Sequence, residues 1–149
     1  MQLNRAWIEA HIPHSGRMCL LDEVISWDPE RISCRSSEHR AVDHPLRAHG
    51  RLGIACGVEL AAQAMAVHGA LTARESDLAP RAGFLASVRG VRLHVARLDD
   101  VETDLICHAV RVAGDARTAL YEFELRSAKM SLMSGRTTVI LDASYLPDR

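Results

Sequence analysis

A chain of 149 residues that is 48% hydrophobic and 25% charged has the length of one domain, residues 1–149, and can bury a core without disulfides or metals. A formal net charge of -1 excludes a global field that would draw it to nucleic acid or to a membrane surface. Lys129 is the only lysine, so almost all of the basic charge is arginine, the side chain suited to bidentate anion contacts.

Residues 3–10 are expected to form a short helix capped by Asn4 and ended by Pro13. Met18 to Trp27 reads as a strand, Asp28-Pro29 as a turn, and Arg31 to His39 as a second strand closing a hairpin. Residues 40–53 are polar, contain proline and glycine, and read as a loop. Ile54 to Ala73 is rich in Ala, Leu, Met and Val and reads as a helix, apolar on all sides except at Glu59, Gln63 and His68. Such a helix lies in a core or a membrane. Three polar groups in the only segment of this kind favour the core of a soluble protein. Arg74 to Ala82 is a polar loop. Four strands are then expected: Phe84 to Val95, Leu105 to Val112, Leu120 to Arg126, and Met130 to Leu141 with a bulge at Gly135. A sheet meander cannot bury its own apolar face, so it must pack on the helix. The fold class is α+β, an antiparallel sheet curled around one long buried helix, the hotdog arrangement.

The four cysteines, Cys19, Cys34, Cys56 and Cys107, form no C-x-x-C pair and read as reduced core thiols, with no metal site. The N-terminal residues lack a signal peptide's apolar stretch, so a cytoplasmic setting is expected.

Glu59 and Gln63 stand four residues apart, on one helix face, with Glu59 in the first turns where the dipole is positive. A carboxylic acid held in apolar surroundings keeps its proton to higher pH and becomes a usable donor. The other reading is a carboxylate that faces the helix end or solvent and merely caps it. The preceding loop holds His44, beside Asp43, and His49; either would complete a base-and-acid pair. His68 reads as a core histidine, and His14 and Arg17 as structural residues of the opening turn. Arg89, Arg92 and Arg97 form a basic strip, read as a solvated sheet face or a patch for an acidic partner.

Three segments resemble one family. Gly57-Val58-Glu59-Leu60-Ala61-Ala62-Gln63-Ala64-Met65 resembles the active-site helix of FabZ-type 3-hydroxyacyl-ACP dehydratases, with Glu followed four residues later by Gln. Ile12-Pro13-His14-Ser15-Gly16-Arg17-Met18-Cys19-Leu20-Leu21-Asp22 is similar to the family's N-terminal segment, and Phe84 to Leu93 to the strand after the helix. His44-Pro45-Leu46-Arg47, Gly50-Arg51-Leu52 and the run Gly57 to Gly69 most resemble the dehydratase-like proteins of aryl polyene gene clusters. Gly53-Ile54 stands where the family has Pro-Gly.

The resemblance implies a catalytic set of His44, Glu59 and Gln63. The histidine would take the α-proton of a 3-hydroxyacyl thioester, and Glu59, oriented by Gln63, would protonate the departing hydroxyl. Backbone N–H groups near Gly53 to Cys56 would polarise the thioester carbonyl. His49 is the competing base at a shorter spacing. It implies no cofactor beyond the phosphopantetheine that carries the substrate on an acyl carrier protein. It also implies a homodimer or a heterodimer with a hotdog dehydratase, with the site shared between subunits. The other functions open to the chain are a non-catalytic subunit of such a heterodimer and an acyl thioesterase.

Overall fold

The computed structural model describes residues 2–75 and 84–141. Helix α1 spans Arg5–His11, and the Asn4 side chain caps it by accepting the Trp7 N–H at 3.1 Å. Strands β1 (Glu23–Trp27) and β2 (Arg31–Ser36) form the expected hairpin. Helix α2 covers Gly57–Glu75 and is entered through a 3-10 turn at Ile54–Cys56. Strands β3 (Phe84–Leu93), β4 (Leu105–Gly114), β5 (Thr118–Ser127) and β6 (Met130–Ile140) follow. From residue 76 on, the expected polar loop lies outside the described residues.

The six strands make one antiparallel sheet in the order β1-β2-β4-β5-β6-β3. α2 packs across β2, β4 and β5. The apolar residues of α2 explain this placement: Leu60, Ala64, Met65, Val67 and Leu71 are all buried. Each large one contributes about 1.5–3 kcal/mol relative to exposure. The segment Ile54–Glu75 is apolar and long enough to cross a membrane, but 61% of its most apolar stretch is buried inside the fold, as befits a core helix. His68 is the core histidine expected: one ring nitrogen lies 2.8 Å from the Asp28 carbonyl and the other 2.7 Å from the Tyr121 hydroxyl. Burial pushes the Tyr121 phenol up to about 12 and lowers His68, so both stay neutral at pH 7.

The structure departs from the sequence reading at two places that matter below. The first strand begins at Glu23, not Met18; Gly16–Met18 is a 3-10 turn, and the backbone at Met18 and Leu20 bonds to a helix side chain instead of a neighbouring strand. The bulge expected at Gly135 lies across from it. Arg89 pairs with Arg136 and Arg92 with Ser134, so Gly90 and Val91 together oppose Gly135, with Gly90 at φ 60°. Gly135 serves packing instead, because a Cβ there would lie 2.9 Å from the Phe123 ring. Gly135→Ala should therefore overpack the sheet and lose about 1–3 kcal/mol, measured by urea unfolding; unchanged stability would refute this account of the glycine.

Candidate active site

The site is assembled by the turn that precedes β1. Gly16 at φ 58° bends the chain, which brings His14 on one side and Met18 to Leu20 on the other onto the first two turns of α2. There Gln63 is fully buried and fully bonded. Its carbonyl oxygen accepts the Leu20 N–H at 2.9 Å, and its amide nitrogen donates to the Met18 carbonyl at 2.8 Å and to Glu59 Oε1 at 3.1 Å. The Leu20 N–H can only donate, so it fixes which end of the Gln63 amide is oxygen. Gln63 must then present N–H to Glu59.

Glu59 is not the isolated carboxylate in apolar surroundings that the sequence suggests. Its side chain is 34% exposed, and Oε1 lies 2.9 Å from His14 Nε2 as well as within reach of Gln63. The surroundings are apolar on the rest of α2, but the opening turn supplies polar partners that the helix sequence alone does not reveal.

His44 is buried, lines a cleft of about 390 Å³ with Arg5, Arg17 and Glu38, and makes no hydrogen bond or ion pair with Glu59 in this chain. Its Nδ1 accepts the Leu46 N–H at 3.1 Å. A backbone N–H can only donate, so in the neutral ring the hydrogen sits on Nε2. Burial lowers its pKa, which keeps the ring neutral. A general base needs a free ring lone pair facing the substrate. In this arrangement Nδ1 is engaged and Nε2 carries hydrogen. His49, the competing base, is exposed and holds a positive φ of 52° at the tip of the loop.

The loop carrying both histidines is fastened by one carboxylate. Asp99, with a side chain 5% exposed, accepts from Leu52 N–H at 3.0 Å and Arg97 Nε at 2.9 Å, and Arg97 Nη2 also meets its second oxygen. Arg47 reaches that oxygen at 3.5 Å while donating to the Ala41 and Gly50 carbonyls. Arg97 thus leaves the predicted basic strip and serves structure, while Arg89 and Arg92 stay exposed. Of the N–H groups expected to polarise a thioester, that of Ile54 donates to Ala96 and that of Cys56 to Gly53. Both are engaged within the chain. His14 is the functional candidate that sequence reasoning set aside, because only the fold brings residues 14 and 59 together. Among the described residues no cluster of His, Cys, Asp and Glu could hold a metal. All four cysteines are free thiols, and burial pushes Cys107 up to about 12.

A six-stranded antiparallel sheet around one long central helix defines a hotdog-fold protein, here with Glu and Gln four residues apart on that helix. Residues 6–145 match the ApeP-like family, whose description is ApeP dehydratase, and the chain belongs to that family. Among solved structures it is similar to a chain of the dehydratase heterocomplex ApeI:P from Xenorhabdus doucetiae, 25% identical over 91% of this chain and 90% of that one, with a TM-score of 0.81. It shares its fold with zebra fish thioesterase superfamily member 2, at 15% identity over 93% and 95% of the two chains and a TM-score of 0.66. A thioesterase-like protein from Syntrophus aciditrophicus matches at 12% identity over 92% and 94% of the chains, with a TM-score of 0.60. No curated protein matches the sequence.

The Arg97 hydrogen bond, helped by the Leu52 N–H and outweighing burial, which acts the other way, holds the Asp99 carboxyl well below the usual carboxylate range. A depressed folded-state pKa stabilises the fold above the unfolded pKa of about 4 and loses that stabilisation as pH falls towards the folded value. Asp99→Asn should therefore lower stability at pH 7 by about 1.5–3 kcal/mol. The gap to wild type should narrow steadily below about pH 4. Thermal melting across pH checks both; a pH-independent difference would contradict the ion-pair account.

Proposed function

We propose that the chain is one subunit of a heterodimeric 3-hydroxyacyl-[acyl-carrier-protein] dehydratase acting in the cytoplasm on aryl polyene or fatty acid-type chains. Glu59 is its general acid and Gln63 orients it. The observation that carries this reading is the Glu59 carboxyl on the central helix of a dehydratase-family fold, half open to the surface and gripped from one side. The substrate's α-proton passes to the base, and its electron pair forms the C=C bond. The C–O bond breaks with its own pair, and the hydroxyl takes the proton of Glu59 and leaves as water. Glu59 is left a carboxylate, which Gln63 stabilises through its N–H.

The base is proposed to come from the second hotdog subunit, because His44 of this chain has Nδ1 engaged by Leu46. The likeness to a dehydratase heterocomplex supports a partner of the same fold. So does β3, at the edge of the sheet with Leu85, Val91 and Leu93 exposed, where a second sheet can extend the first. Arg89 and Arg92 on that strand fit the acidic carrier protein.

The chain should be purified alone and with a partner dehydratase subunit, then given a 3-hydroxyacyl carrier thioester. Enoyl product is expected from the complex. Glu59→Gln should reduce its formation by about 100-fold or more while leaving the complex intact. Full activity in Glu59→Gln would sink the acid assignment, and turnover by the isolated chain would sink the heterodimer. Release of free thiol without enoyl product would instead identify a thioesterase.

A further inference from the structure

His14 makes the closest polar contact to Glu59, and neither the family match nor the reading above gives it a role. Two neighbours converge on one oxygen. Gln63 Nε2 donates to Glu59 Oε1 at 3.1 Å, and His14 Nε2 lies 2.9 Å from that same Oε1. A carboxyl oxygen has two lone pairs, and here both face nitrogen. The other oxygen, Oε2, has no hydrogen-bond or ion-pair partner among the described residues. Where Gln63 and His14 both donate to Oε1, a proton on that oxygen would oppose them, and the acidic hydrogen then belongs on Oε2.

The His14 ring is set in turn by its surroundings. Its Nδ1 is buried without a hydrogen-bond partner, while 30% of the side chain remains exposed. A buried N–H with no acceptor is costly. Of the two neutral tautomers, the one with hydrogen on Nε2 avoids that cost and offers a donor to Glu59. The ring is placed by the turn at Gly16, whose neighbouring residues Met18 and Leu20 are bonded to Gln63. One buried amide therefore aligns Glu59 directly and holds the segment that carries His14.

We propose that His14 is a positioning residue for Glu59: together with Gln63 it occupies Oε1 and so assigns proton transfer to Oε2. The proposal rests on Glu59 being the acid. In the step above, Oε2 gives its proton to the departing hydroxyl, and the negative charge left on the carboxylate is met at Oε1 by the His14 and Gln63 donors. His14 itself touches neither substrate nor reacting atoms.

The test uses the complex with the partner subunit and compares Glu59→Gln, His14→Ala and His14→Gln in the dehydration assay. A glutamine amide nitrogen can stand where His14 Nε2 stands, so it restores a donor without an imidazole. His14→Ala should lower kcat about tenfold or more with KM within about twofold, and His14→Gln should recover at least about a third of the lost rate. A kcat within about twofold of wild type in His14→Ala, with Glu59→Gln inactive, would overturn the positioning role and leave the acid in place. Equal loss in His14→Ala and His14→Gln would show a purely structural residue and overturn it too. Full activity in Glu59→Gln would remove the acid reading and this proposal with it. If His14→Ala fails to fold or to join the complex, His14→Leu, which keeps the volume and lacks the donor, takes its place under the same criteria.

Discussion

A primary amide buried in a protein core must have its N–H groups and its oxygen satisfied, and the Gln63 amide meets this requirement by linking three parts of the chain. Each bond contributes about 1 kcal/mol net, but leaving one of these groups unmet would cost about 1–3 kcal/mol. The turn before β1, the helix face and the carboxyl of Glu59 are therefore set as one unit. The early end of the first strand follows from the same constraint. Residues Met18 and Leu20 bond to the helix through Gln63, so the ladder with β2 begins only at Glu23.

A second anchor holds the loop that precedes the helix. Asp99 gathers Arg97, Arg47 and the Leu52 N–H around one nearly enclosed carboxylate. Arg47 in turn holds the carbonyls of the loop from Ala41 to Gly50. This loop bears His44, and its fixed backbone gives His44 an intraloop donor at Leu46. The same rigidity that orders the loop engages the ring nitrogen that base catalysis would use. That is the physical ground for proposing that the acid comes from this chain and the base from a partner.

The outline of the fold was legible from local pattern. Period-two alternation in Leu120 to Arg126 and the all-round apolar character of Ile54 to Ala73 report burial, and burial is what builds a sheet around a helix. The Glu59 and Gln63 pair was legible for the same reason, since a spacing of four is a property of the helix itself. Chemistry that depends on contact between distant segments was not legible. Arg97 looked like one of three equivalent surface arginines until the fold set it on Asp99. Gly135 marked an irregular sheet position correctly, yet the extra residue belongs to the facing strand, because register is decided between strands and not within one.

By itself the sequence determined the elements, their order, the buried helix and the carboxyl group it carries, because these follow from propensity and periodicity over a few neighbouring residues. Tertiary structure decided what surrounds that carboxyl. It brought His14 to 2.9 Å from Glu59 across 45 residues of chain (59 − 14), bonded Gln63 into the opening turn, and turned His44 to accept from its own loop. The physical reason is that hydrogen-bond satisfaction is required only of groups taken out of water, and which groups those are is settled when the sheet closes on the helix.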